Sequence, residues 1–220
     1  MKHIVQKSVQ DIFSKDVLFF VFKIGIASLF LTNVILWFFW GGISSFVASY
    51  LSWIPWPWLQ TSGAKIITFG LGYMMLIMMV SLLTSLYSEK LLIKLAKKHY
   101  PTIQATNGVN ITTSIITTLK SSTIFLLLFI LSIPLLFIPF VGQVIMVYLW
   151  SILIKEPTTY DVGYLFLKKK KEIKKRIKKG RLLSMTASLL NYVPILNLFT
   201  PVFAQILFLH HFLEKESKTV

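Results

Sequence analysis

Charge is confined to a few short stretches of this 220-residue chain. Of its 23 basic and 8 acidic side chains, residues 17–88, 121–154 and 182–213 hold only two, Lys23 and Lys65. Segregation this sharp arises where chain lying in lipid alternates with chain lying in water. Charged residues make up 14% of the whole, about half the share of a water-soluble domain. In hydrocarbon every backbone N–H and C=O must be paired within the protein, so long apolar runs become helices. The sequence therefore predicts an all-α integral membrane protein, a single membrane domain over residues 1–220.

Several classes are excluded by what is missing. With no cysteine there is no disulfide, iron–sulfur cluster or thiolate zinc site. The four histidines, His3, His99, His210 and His211, show no ligand spacing and no nearby carboxylate pair, so no metal is expected. No glycine loop to cradle a phosphate and no G-x-S-x-G nucleophile elbow is present, so neither a cofactor nor enzyme activity is expected. The net charge of +15 points to an anionic membrane face rather than to nucleic acid. The polar stretch Met1–Asp16 precedes an apolar run too long for a cleaved signal peptide and is expected to stay as part of an anchor.

Two apolar runs have the length of full spans. Val17–Trp40, capped by Ser14 and ended by Gly41-Gly42, would reach roughly 36 Å as a helix, enough to cross a bilayer core. Ile66–Tyr87 is the second, expected to continue as a helix over Ser88–His99 until Tyr100-Pro101 stops it. Between them Trp53, Trp56 and Trp58, with Pro55 and Pro57, predict a bent loop lying at the membrane interface.

The other two apolar runs read differently. Pro134 and Pro139 divide Ser121–Ile154, and Pro194 and Pro201 divide Leu182–Leu213, into arms of roughly 18–23 Å that cannot cross. They are expected to be two re-entrant, hemi-penetrating helical hairpins. An internal repeat pairs them: Ile133-Pro134-Leu135-Leu136 then Pro139-Phe140-Val141-Gly142-Gln143, against Val193-Pro194-Ile195-Leu196 then Pro201-Val202-Phe203-Ala204-Gln205. With two full spans and two hairpins, every basic segment falls on one side, which positive-inside makes cytoplasmic, together with both termini.

The stretches VSLLTSLYSEKLLIKL, SIPLLFIPFVGQ and VPILNLFTPVFAQILFLHH, in this order over roughly Val9 to His211, resemble the CysZ sulfate permeases and the wider etoposide-induced protein family. The resemblance implies two long transmembrane helices and two hemi-penetrating hairpins, a bacterial inner-membrane location, and sulfate as substrate. It also implies a Pro-Gly-Leu/Ile-Arg-Arg type motif before the first span. Here that place is taken by Phe13-Ser14-Lys15-Asp16-Val17-Leu18, with neither glycine nor arginine, so the family's binding residues do not carry over.

The candidate residues follow from chemistry. Ser14 and Lys15 open a helix at the basic face, where free N–H groups attract anions; the alternative is an ordinary cap. Lys23 lies two turns into the first span, either snorkelling to the interface or attracting an anion. Asn33, Gln143, Asn197 and Gln205 sit in apolar runs and should face the protein interior, bonding between helices or lining a polar pathway. His210-His211 reads as an interface anchor, the alternative being a pH-sensing or ligand role, and Lys168–Arg181 as a helix lying on anionic lipids, with Leu167, Ile173 and Ile177 clustered on one side. The function expected is a homo-oligomeric permease for a small inorganic anion, sulfate or a related oxyanion. The alternative is a membrane-organising scaffold whose hairpins wedge one leaflet.

Overall fold

The computed structural model describes residues 2–52, 55–105, 108, 110–136, 138–167, 173 and 180–217. Among them every regular element is helical: α1 (Lys2–Ile12), α2 (Lys15–Tyr50), α3 (Pro57–Tyr87), α4 (Glu89–His99), α5 (Ile111–Leu136), α6 (Val141–Phe166), α7 (Arg181–Ser188) and α8 (Thr200–Ser217). Two short 3-10 turns, Leu189–Tyr192 and Leu196–Phe199, join the last two. Among the described residues four segments are long and apolar enough to cross a membrane: Lys15–Ser49, Gln60–Tyr87, Ile111–Phe129 and Leu196–Glu214. The helices divide into two compact units, Phe22–Leu83 and the remainder.

Phe22–Leu83 contains most of α2 and α3, which run back along one another. Leu36 packs against Gly72, and Leu51 against Gly63. Aromatic and aliphatic side chains such as Phe30, Trp37, Phe38, Ile66 and Phe69 point outward, as on a surface whose solvent is hydrocarbon. Two expectations are corrected here. Gly41-Gly42 does not end α2, which continues to Tyr50. The tryptophan-rich stretch is not one bent loop, because Pro57 starts α3 and leaves only residues 51–56 between the helices. Glycine costs about 1 kcal/mol in a helix in water, but in lipid an unwound turn would strand several backbone groups, so the helix runs on. Proline at the first helical position loses no bond, which is why Pro57 begins a helix rather than breaking one.

The other unit is built around α8. Val202, Phe203, Ala204, Ile206, Leu207, Phe208, Leu209, Phe212 and Leu213 are all buried. The candidate span that includes α8 is 72% buried within the protein, against 22%, 17% and 11% for the other three. Its surroundings are therefore mostly side chains rather than lipid. α1 packs on it through a stripe at helical spacing, Ile4, Ser8, Asp11 and Ile12. α4 contributes Leu91, Leu92, Leu95 and Ala96 while Lys90, Lys94, Lys97 and Lys98 stay outside. As expected, α4 follows α3 across Ser88 and ends at His99.

α5 and α6 form a hairpin that turns at Pro139-Phe140, and α7 and α8 one that turns at Pro194-Ile195. Both turns use a bulky residue at positive φ, Phe140 at 64° and Ile195 at 73°. At Phe140 the Val141 N–H reaches back to the Pro139 carbonyl at 2.8 Å, a γ-turn, which is strained for any side chain. Phe140 and Ile195 are 85% and 72% exposed, so each hairpin ends in a projecting apolar tip. The arms of the first are longer than expected. Each is 26 residues, roughly 39 Å, because α5 begins at Ile111, where Asn110 Oδ1 accepts the Thr113 N–H at 3.1 Å and caps it. The first arm of the second hairpin, α7, is only 8 residues.

Candidate functional site

The anion-binding candidates cluster only in part. Ser14 precedes α2, and its hydroxyl is buried without a hydrogen-bond partner, so it caps the helix by its carbonyl alone, which accepts the Leu18 N–H at 3.0 Å. Lys15 is exposed beside it. Asp16 pairs with Lys94 at 2.8 Å, placing a carboxylate next to the proposed anion position. Lys23 is exposed and belongs to the Phe22–Leu83 unit.

The four amides differ in the same way. Asn33 is exposed and donates Nδ2–H to the Leu29 carbonyl of its own helix at 2.8 Å. Gln143 is exposed as well, and its backbone carbonyl accepts the Tyr192 hydroxyl, which lies beside Trp150. Asn197 and Gln205 are buried at the start of α8, together with Thr200. There the Thr200 hydroxyl and Gln205 Oε1 have no hydrogen-bond partner. The repeat therefore does not give Gln143 and Gln205 matching environments, since the chain turns after the second proline of one copy and after the first of the other. A cavity of about 460 Å³ is lined by Ile93, Ala96, Lys97, Pro101, Ile103 and Phe166, and by none of these candidates.

Most of the segment Lys168–Arg181, expected to lie on anionic lipid, lies outside the described residues. Of the apolar side chains expected to cluster there, Leu167 and Ile173 are buried and Ile177 lies outside the described residues. Arg181 turns toward the protein, donating to Ser151 Oγ at 3.1 Å and stacking over Tyr148.

Two polar clusters escaped the sequence reading. The first centres on Asp11 at the end of α1. Its Oδ2 accepts from His210 Nε2 at 2.8 Å and its Oδ1 from His99 Nε2 at 2.9 Å, with Lys98 Nζ 3.4 Å away. His210 Nδ1 in turn accepts the Tyr100 hydroxyl at 3.1 Å; this tautomer follows from the network, because a carboxylate can only accept. Burial would raise the Asp11 carboxyl, but hydrogen bonds from His210 and His99 outweigh it and hold the group well below the ordinary range. Burial first, then the nearby Glu214 and Asp11 carboxylates, push the Tyr100 hydroxyl up to about 12, so it stays neutral. The expectation that His210 anchors at the interface is corrected: His210 is fully buried in the protein against Asp11. Sequence offered no sign of this, because the partners are 88 and 199 residues apart.

The second cluster closes a ring. Ser85 at the end of α3 and Ser114 in α5 both bond the Asp161 carboxyl of α6, Ser114 at 2.7 Å, and the two hydroxyls lie 2.9 Å apart. Three contacts need three protons, and two serines supply two. The third belongs on Asp161. Accordingly burial, opposed by the two serine hydrogen bonds, pushes this carboxyl up to about 6. A carboxyl raised in the folded state stabilises fully below its ordinary 3.8, and that contribution is lost as pH rises through about 6. Asp161→Asn keeps the ring's donor and acceptor without the charge. It is expected to raise the thermal midpoint near pH 8, by a free energy of up to about 3 kcal/mol, and to change little near pH 4. Melting curves at the two pH values check this, and an equal effect at both would rule out an ionised Asp161 as the cause.

Four lipid-length helical segments, apolar outward surfaces and two hairpins with projecting tips define a multi-pass helical membrane protein. Residues 4–201 match the family described as sulfate transporter CysZ/etoposide-induced protein 2.4, and the chain belongs to that family. Comparison with curated proteins gave no match, and neither did comparison with solved structures.

Proposed function

We propose that this protein is a permease for a small inorganic anion, sulfate or a related oxyanion. The observation that carries the reading is the buried polar group at the start of α8. Asn197, Thr200 and Gln205 lie in an apolar hairpin, and the Thr200 hydroxyl and Gln205 Oε1 lack partners. Such groups are costly in a dry interior, about 1–3 kcal/mol each, and a passing anion or its water would satisfy them. The amino end of α8 adds its dipole in place of lost hydration. Ser14 and Lys15, at the amino end of α2, concentrate anions at the basic face, and Lys23 draws them onward. Asn33 and Gln143, facing outward, contribute in an assembled homo-oligomer. No nucleotide-binding motif is present to power a pump, so permeation is passive or coupled to a gradient.

In this reading the second hairpin is re-entrant, while the arms of the first, 26 residues each, are long enough to cross, in a bacterial cytoplasmic membrane with both termini inside. The 8-residue α7 supports re-entry for the second hairpin, being far too short to cross. Lys168–Arg181 rests on anionic lipid.

Sulfate flux into liposomes holding the purified protein tests the reading. Uptake above empty liposomes is expected, reduced about two- to fivefold by Lys15→Ala as the local potential falls. Gln205→Leu, which removes the buried amide, is expected to reduce it further. Folded protein that passes no sulfate or related oxyanion would favour a second reading, a scaffold that wedges one leaflet. The observation on that side is the pair of projecting apolar tips at Phe140 and Ile195.

A further inference from the structure

We propose that Asp11, His99 and His210 form a binding site for one divalent transition-metal ion of the zinc type. Their ligating atoms, one carboxylate oxygen and two imidazole nitrogens, all lie within 4.8 Å of one another. Two histidines and a carboxylate suit zinc and its neighbours, whereas magnesium and calcium prefer oxygen alone. Ligands about 2.0–2.1 Å from a tetrahedral ion stand about 3.3 Å apart. The present separations of 2.9 and 2.8 Å, each to a different Asp11 oxygen, would open by a few tenths of an ångström at the ion, while the widest of the set, within 4.8 Å, would close. The ion takes the place of the two Nε2 protons, each imidazole shifting its proton to Nδ1. At His210 that Nδ1–H then donates to the Tyr100 hydroxyl now 3.1 Å away, the outer contact that orients a metal-bound histidine.

Access and charge also bear on the site. Asp11 and His210 are almost wholly enclosed, while the His99 side chain is 18% exposed and marks the way in. The Lys98 ammonium, 3.4 Å from Asp11 and 59% exposed, is free to swing into water. Lys7 stacks over the Tyr100 ring. These two positive charges oppose a dication, and the nearby Glu214 carboxylate partly offsets them. The three ligands come from α1, α4 and α8, so the ion would leave a fourth position open and cross-link three helices at the basic face.

The test uses tag-free, chelator-stripped protein in detergent, titrated with Zn²⁺ by calorimetry and with Co²⁺ by visible absorption. One ion per chain is expected, with the intense Co²⁺ bands of a four-coordinate site. His99→Ala removes the least buried ligand and should weaken binding at least tenfold while leaving the helical circular dichroism unchanged. Lys98→Ala should tighten it several-fold. Should His210→Ala fail to fold, these two variants still decide the matter. Folded wild-type protein that binds neither ion, or binding unchanged in His99→Ala, would overturn the proposal and leave the cluster a hydrogen-bonded clamp.

Discussion

Asp11→Ala, measured in chelator-treated protein, is expected to destabilise the unit built on α8 by about 3–5 kcal/mol. The carboxylate accepts from His210, His99 and Lys98, which belong to α8 and α4, while Asp11 itself sits on α1. Removing it leaves the His210 N–H fully buried with nothing to receive it, a cost larger than that of the bond itself. Asp11→Asn retains one acceptor oxygen, so it is expected to cost roughly half as much. α1 should loosen first, since beyond this cluster it holds on mainly through Ile4 and Ile12. Hydrogen exchange across residues 2–12 reads that loosening directly. A thermal midpoint and exchange pattern equal to wild type would show that the cluster does not tie the helices together.

Gly142→Ala should be comparably damaging for a different reason. A Cβ at this position would stand 2.3 Å from the Leu136 carbonyl oxygen and 2.9 Å from its carbon. Those are backbone atoms at the end of α5, so no rotamer change relieves the clash. The Gly142 N–H also closes the turn onto the Ile138 carbonyl at 2.9 Å, next to the strained Phe140. The turn must open, at about 3 kcal/mol or more. A fall in folded yield and thermal midpoint is expected. Gly41→Ala, with nothing within 4 Å of its added methyl, should leave yield and midpoint close to wild type and serves as the control. Equal behaviour of the two variants would count against this account of the turn.

What could be read from the chain beforehand depended on how local its cause was. The spans in α2 and α3 follow from the near absence of charge, which any window of the sequence displays. The hairpin turns follow from prolines, and Pro139 and Pro194 do stand at them. The stop at Gly41-Gly42 was misread because glycine's weakness in helices is a rule for water, not lipid. The start of α5 was missed although Asn110 caps it, since the threonine- and serine-rich stretch behind it looks like a loop. Gln143 and Gln205 seemed equivalent because a repeat reports spacing, whereas burial depends on which proline makes the turn. Asp11, His99, His210 and the Asp161 ring were out of reach, being created wholly by packing between distant helices.

The place of α8 at the centre of its unit has a consequence for synthesis. Asp11 and His210 are 199 residues apart, so at about 5–20 residues per second a ribosome separates their appearance by roughly 10–40 s. For that interval α1 lacks the helix it packs on, and α4, once made, lacks it for about the second half, with Ile4 and then Leu91, Leu92 and Leu95 uncovered. Nascent chains stalled before Thr200 should accordingly be the most vulnerable to membrane quality-control proteases, and protection should arrive late and all at once.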